Sequence, residues 1–112
     1  MSEAEILDRL FRVIEARRSE RPKGSYVASL LDGGVAAVAA KVTEEAEESA
    51  EAALSGDAEQ TAREVADLVF HVWVLLAASG LEPRHVYAVL EERFGTGGLE
   101  EKTARGRDPD GE

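Results

Sequence analysis

The 112-residue chain contains no cysteine. Disulfides, thiolate metal sites and cysteine nucleophiles are therefore excluded, and the composition fits a reducing, cytoplasmic setting. Basic residues are also scarce, 13 Lys and Arg against 23 Asp and Glu, for a formal charge of −10. Adhesion to DNA, RNA or an anionic membrane needs clustered positive charge, so neither nucleic acid nor membrane is an expected partner. A polyanionic small substrate would need a bridging cation. No apolar run is long enough to span a bilayer: "VADLVFHVWVLLAA", residues 65–78, is too short and carries Asp67 and His71. The opening "MSEAEILDRL" is acidic where a signal peptide is basic and then apolar, so no export signal is expected. Neither a period-two strand pattern nor an internal repeat is visible.

What is present is helical periodicity. Ile6, Leu7, Leu10, Phe11 and Ile14 recur at spacings of three and four, and Ser2 with Glu5 has the form of a capping box, which predicts a first helix ending near Ser19. Pro22 and Gly24 break it, and "SYVASLLDGG" reads as a short helix closed by Gly33 and Gly34. A long helix from about Val35 to Leu54 follows. After Gly56, Asp57 and Gln60 form another capping box and open a helix to about Ser79. Pro83 suits the first turn of a final helix running to about Phe94. The expected fold is all-α, a bundle of about four to five helices over residues 1–94, with a tail rich in Gly and charge at 95–112.

The long third helix poses a charge problem. Between Lys41 and Arg63 stand seven acidic residues and no basic one. Like charges three or four apart destabilise an isolated helix by about 0.2–0.5 kcal/mol per pair, so an uncompensated run implies an external cation or a freely solvated face. At about 100° per residue from Glu44, Val35, Val38, Val42, Ala46, Ser49 and Ala53 fall at roughly 120–200° and are the expected core face. Glu47 and Glu51 point away with Glu44. Glu45 and Glu48, three apart and beside Lys41, border the apolar stripe.

The following helix supplies the complement. It is apolar on all faces from Val65 to Ala78, which implies burial on nearly every side. Gln60, Glu64, Asp67 and His71, spaced four, three and four, line one stripe through it. A buried carboxylate at Asp67 would require a metal or a close cation. Four carboxylates, Glu45, Glu48, Glu64 and Asp67, would form a hard oxygen site suited to Mg²⁺ or Mn²⁺, ions that bind phosphate oxygens and activate water. The bland alternative is that Glu-rich helices are simply solvated. His71 reads as a buried histidine hydrogen-bonded to the Asp67 carboxylate rather than as a ligand. Ser25 and Tyr26 either cap the short helix or touch ribose or phosphate. Lys102 and Arg105 are tail charges that could close over a substrate. So much apolar helix exceeds what one short chain can cover, so a homodimer or dimer of dimers is expected.

"KVTEEAEES" followed by "REVADLVFHVWVLL" resembles the Glu-Glu-x-x-Glu and Glu-x-x-Asp signature of the all-α nucleoside-triphosphate pyrophosphatases, the MazG-like superfamily. "RPKGSYVASLLDGG", "DLVFHVWVLLAASGL" and "RFGTGGLEEKTAR" narrow the resemblance to the phosphoribosyl-ATP pyrophosphatase family, over nearly the whole chain from Leu10 to Arg105. That resemblance implies Mg²⁺-dependent hydrolysis of the α–β phosphoanhydride of 1-(5-phosphoribosyl)-ATP to phosphoribosyl-AMP and pyrophosphate, the second step of histidine biosynthesis. It implies signature roles for Glu44, Glu45, Glu48, Glu64 and Asp67, with Glu44 orienting water or a second ion. Lys41, Lys102, Arg105, Ser25 and Tyr26 would be the substrate contacts. Thr43 stands where the resemblance leads one to expect Gly in many relatives, a change a helix tolerates. The chain has no room for the cyclohydrolase domain to which the family is sometimes fused, so a stand-alone form is expected. A house-cleaning pyrophosphatase for non-standard nucleotides, and a non-catalytic acidic helical dimer, remain as competing readings of the same residues.

Overall fold

The computed structural model describes Glu3 and residues 5–95. Among these the chain is all-α, with five helices: α1 (Glu5–Glu20), α2 (Tyr26–Asp32), α3 (Gly34–Ser55), α4 (Ala58–Ala78) and α5 (Pro83–Gly95). The expected boundaries hold to within a residue or two. Ser2, half of the expected first capping box, and the tail from residue 96 lie outside the described residues. The chain divides into one compact unit up to Leu81 and a second from Glu82.

Local chemistry explains each junction in the first unit. α1 carries Glu5 and Asp8 in its first turn and Arg17 and Arg18 in its last, matching the helix dipole. The Ser25 hydroxyl oxygen accepts from the Ala28 N–H at 3.1 Å, so Ser25 is the N-cap of α2. Gly33 ends α2 and starts α3, and a Cβ there would meet the Ala37 Cβ at 2.6 Å, so the two helices join this tightly only with glycine. Gly56 takes a left-handed φ of 84° and turns α3 back into α4. Asp57 caps α4 by accepting from the Gln60 N–H at 3.0 Å. The Gln60 side chain does not return the bond, as a full capping box would require; it reaches forward to Glu64 instead.

α3 and α4 form an antiparallel hairpin, the most extensive helix pair, on which α1 and α2 pack. Ile14, Val38 and Val74 are fully enclosed, with Phe11, Val27, Ala52, Trp73 and Ala77 around them. The Trp73 Nε1–H donates to the Leu7 carbonyl at 2.9 Å and ties α1 to α4.

Two expectations about burial are corrected. The buried stripe of α3 keeps Val38 and Ser49 of the expected core face and adds Glu45 and Ala52, while Val42 is half-buried and Val35, Ala46 and Ala53 are exposed. On the same wheel the stripe sits about 50° nearer Glu45. α4 is not covered on nearly every side either: Val65, Ala66 and Asp67 are exposed, and its buried residues run from His71 to Ala77. Among the described residues of the first unit, α1, α2 and α3 leave α4 uncovered at Val65, Ala66 and Asp67. No single helix among the described residues is long and apolar enough to cross a membrane. In the second unit, Pro83 occupies the first turn of α5, and the Glu82 N–H donates to His85 Nδ1 at 3.0 Å, closing its N-terminus.

Candidate metal and nucleotide site

The α3–α4 hairpin brings Glu45 and Glu48 of α3 to Glu64 of α4. One carboxylate oxygen from each lies within 4.8 Å of the others. Glu45 is 7% exposed, and Glu48 and Glu64 are half-buried. Two oxygens at this cluster, Glu45 Oε1 and Glu64 Oε1, are buried without a hydrogen-bond partner. An unpartnered buried acceptor costs about 1–3 kcal/mol, more when charged, and such atoms in a native fold call for a missing partner. A cation is the partner that three converging carboxylates fit.

The surroundings hold these acids in place. Glu64 Oε2 accepts from Gln60 Nε2 at 2.6 Å, leaving Oε1 for the cluster. Lys41 Nζ lies 3.3 Å from Glu44 Oε1 and 3.8 Å from Glu45 Oε2. Its ammonium is held above the ordinary lysine range, first by the hydrogen bond to Glu44 and then by the nearby Tyr26 phenol. The Glu48 carboxyl is pushed above the ordinary carboxylate range, chiefly by the negative charge of Glu45, then by lost hydration and by Glu64. One lysine thus does not neutralise the cluster, and the acids repel one another in the absence of a further cation.

The donor set is oxygen throughout, which selects Mg²⁺, Mn²⁺ or Ca²⁺ over softer metals. His71 supplies no ligand, since both ring nitrogens are engaged: Nδ1 with the Asp67 backbone carbonyl at 2.7 Å and Nε2 with the Tyr26 hydroxyl at 2.8 Å. This also corrects the expected bond from His71 to the Asp67 carboxylate; the imidazole folds back along its own helix to the carbonyl four residues earlier. Asp67 itself is exposed rather than buried, and its carboxylate is not among the three that converge. It lies one turn beyond Glu64 on α4.

Of the expected substrate contacts, Lys41 stands beside the cluster, and Tyr26 bonds His71, two turns beyond Glu64 on α4. Ser25 is confirmed as a cap and, with Tyr26, lines an open cavity of about 480 Å³. Glu44 is exposed and paired with Lys41. Lys102 and Arg105 lie outside the described residues. The sequence reading missed the Tyr26–His71 bond, which joins residues 45 apart and leaves no trace in local spacing.

Residues 7–94 match the family model described as phosphoribosyl-ATP pyrophosphohydrolase. A phosphoribosyl-ATP pyrophosphatase of Parvibaculum lavamentivorans is 51% identical over 105 residues, covering 94% of this chain and 96% of the relative. Proteins of the same name from Azospirillum brasilense, 46% identical over 102 residues (91% and 92% covered), and Methylibium petroleiphilum, 48% identical over 111 residues (96% and 92% covered), are similar across comparable spans.

Proposed function

The chain belongs to the phosphoribosyl-ATP pyrophosphohydrolase family, an enzyme family, and from that premise we propose that it hydrolyses the α–β phosphoanhydride of 1-(5-phosphoribosyl)-ATP, releasing pyrophosphate and phosphoribosyl-AMP in histidine biosynthesis. The observation that carries the proposal to the residues is the cluster of Glu45, Glu48 and Glu64, with two buried oxygens left open.

These three carboxylates would hold a divalent ion, Mg²⁺ or Mn²⁺, and Asp67 joins them from the same stripe of α4. When bound, such an ion neutralises phosphate oxygens and lowers the pKa of water. The protein residues supply position and charge. Gln60 fixes Glu64 through Oε2 and so keeps its other oxygen directed to the site. Glu44 and Lys41, paired at the rim, orient water and a phosphate oxygen. Lys102 and Arg105 carry the positive charge that meets the remaining phosphates. The exposed Val35, Ala46 and Ala53 on α3 and Val65 on α4 support assembly with a second copy, as a homodimer or dimer of dimers. A cytoplasmic location suits a cysteine-free chain making a soluble metabolite.

The test is pyrophosphate release from phosphoribosyl-ATP by the purified protein, with and without Mg²⁺, beside Asp67→Asn. The expected result is Mg²⁺-dependent release that the substitution abolishes. Preferential turnover of dUTP or dCTP would overturn the substrate assignment.

A further inference from the structure

The hydrogen bonds of His71 fix the direction of a proton on Tyr26. The Asp67 backbone carbonyl can only accept, so the Nδ1 that lies 2.7 Å from it carries the ring hydrogen. In the neutral imidazole Nε2 is then an acceptor, and the Tyr26 O–H, 2.8 Å away, donates to it. His71 is 5% exposed and its ring meets both Tyr26 and Phe70 edge to face, at 5.7 and 5.0 Å between centroids, so it has little freedom to turn over. Tyr26 is 49% exposed. Its phenol therefore spends its hydrogen inward and shows the open side a lone pair, which suits a donor and repels an ionised phosphate oxygen.

The adjoining cavity has the same preference. Tyr26 lines it with Arg21, Ser25, Ser29 and Asp32. Arg21 is ion-paired with Asp32, so the basic side chain among these is already neutralised. Hydroxyls and a neutralised pair suit a polyol better than a phosphate.

We infer that Tyr26, positioned by His71, takes a hydroxyl of the adenosine ribose, and that the cavity beside it is the ribose subsite. This rests on the proposed function: with the α–β bond at the carboxylate cluster, the α-phosphate carries the adenosine ribose directly, and Tyr26 is bonded to His71, which lies two turns beyond Glu64 on α4. Tyr26 contacts substrate, and His71 acts through it.

The test uses the full chain with phosphoribosyl-ATP and its 2′-deoxy and 3′-deoxyadenosine counterparts. Wild type is expected to discriminate against at least one deoxy substrate by about 10-fold in kcat/KM, the scale of one hydrogen bond at a half-exposed group. Tyr26→Phe, which keeps the ring contacts, abolishes that discrimination. His71→Asn, which can still donate to the Asp67 carbonyl but whose shorter side chain holds its amide oxygen short of the phenol, behaves likewise, while His71→Gln, whose amide oxygen reaches the Nε2 position and accepts from the phenol, restores it. Equal loss on all three substrates in Tyr26→Phe, or no discrimination by wild type, overturns the inference. Long-range ¹⁵N correlation spectra of the wild-type imidazole should show the Nδ1-protonated tautomer at neutral pH; the Nε2-protonated form overturns it as well. Absence of any turnover by wild type overturns the activity and this inference together, whereas turnover without discrimination removes the inference alone.

Discussion

Glu45→Gln should make the metal-free protein more stable and the enzyme nearly inactive. In the native chain Glu45 is buried, its Oε1 has no hydrogen-bond partner, and Glu48 and Glu64 place oxygens within 4.8 Å. Glutamine has the same shape, removes one of three like charges, and brings N–H donors beside the unpartnered Glu64 Oε1. A hydrogen bond to a charged group contributes about 1.5–3 kcal/mol, and some of this is lost in freezing the amide, so the expected gain is about 1–2 kcal/mol. For a domain of this size that is a rise of about 5–15 °C in Tm. Mg²⁺ reverses the order. At 100 times its Kd, a ligand stabilises the native state by about 2.7 kcal/mol, and the variant, lacking an anionic ligand, binds more weakly and gains less. Thermal melts in EDTA and in Mg²⁺, beside pyrophosphate release, measure all three effects. Activity should fall by about 100-fold or more. A variant that melts below wild type in EDTA, or that gains as much from Mg²⁺, would refute a site built on electrostatic conflict that a cation relieves.

Further expectations concern the same frame. Glu48 has its carboxyl pK raised in the folded state above its ordinary value of 4.5, so its ionisation opposes folding. Urea midpoints in EDTA should show Glu48→Gln matching wild type below pH 4.5 and pulling ahead as pH rises through the raised value, then running parallel; a constant offset would refute the cause. Ser25→Ala, which removes the N-cap of α2, should cost about 1 kcal/mol by urea denaturation, and Ser25→Asp should recover most of it. Ile14→Ala, at a side chain with no exposure, should cost about 2–5 kcal/mol by the same measurement.

The helices were legible because their punctuation is local: Ser25, Asp57, Gly33, Gly56 and Pro83 act on neighbours a few residues away. The pairing of Glu45 and Glu48 with Glu64 was legible too, since a tight turn at Gly56 leaves two helices little choice of partner. The rotation of α3 was not. A wheel weighted by apolar residues centres the core near Val42, but Glu45 turns inward as well, on the side of α3 that meets Glu64 of α4. Asp67 shows the converse limit. An apolar neighbourhood does not by itself fix burial: Asp67 is exposed beside the equally exposed Val65 and Ala66. The Tyr26–His71 bond could not be read at all, as nothing in either stretch names a partner 45 residues away.

The indole of Trp73 has a use beyond packing. It is the chain's sole tryptophan, 7% exposed, and its N–H reaches a carbonyl 66 positions earlier. Its fluorescence is therefore a clock for one event, the arrival of α1 on the α3–α4 hairpin. Circular dichroism would follow the helices as they form, and the lag between the two signals would time the step that brings together residues 66 positions apart.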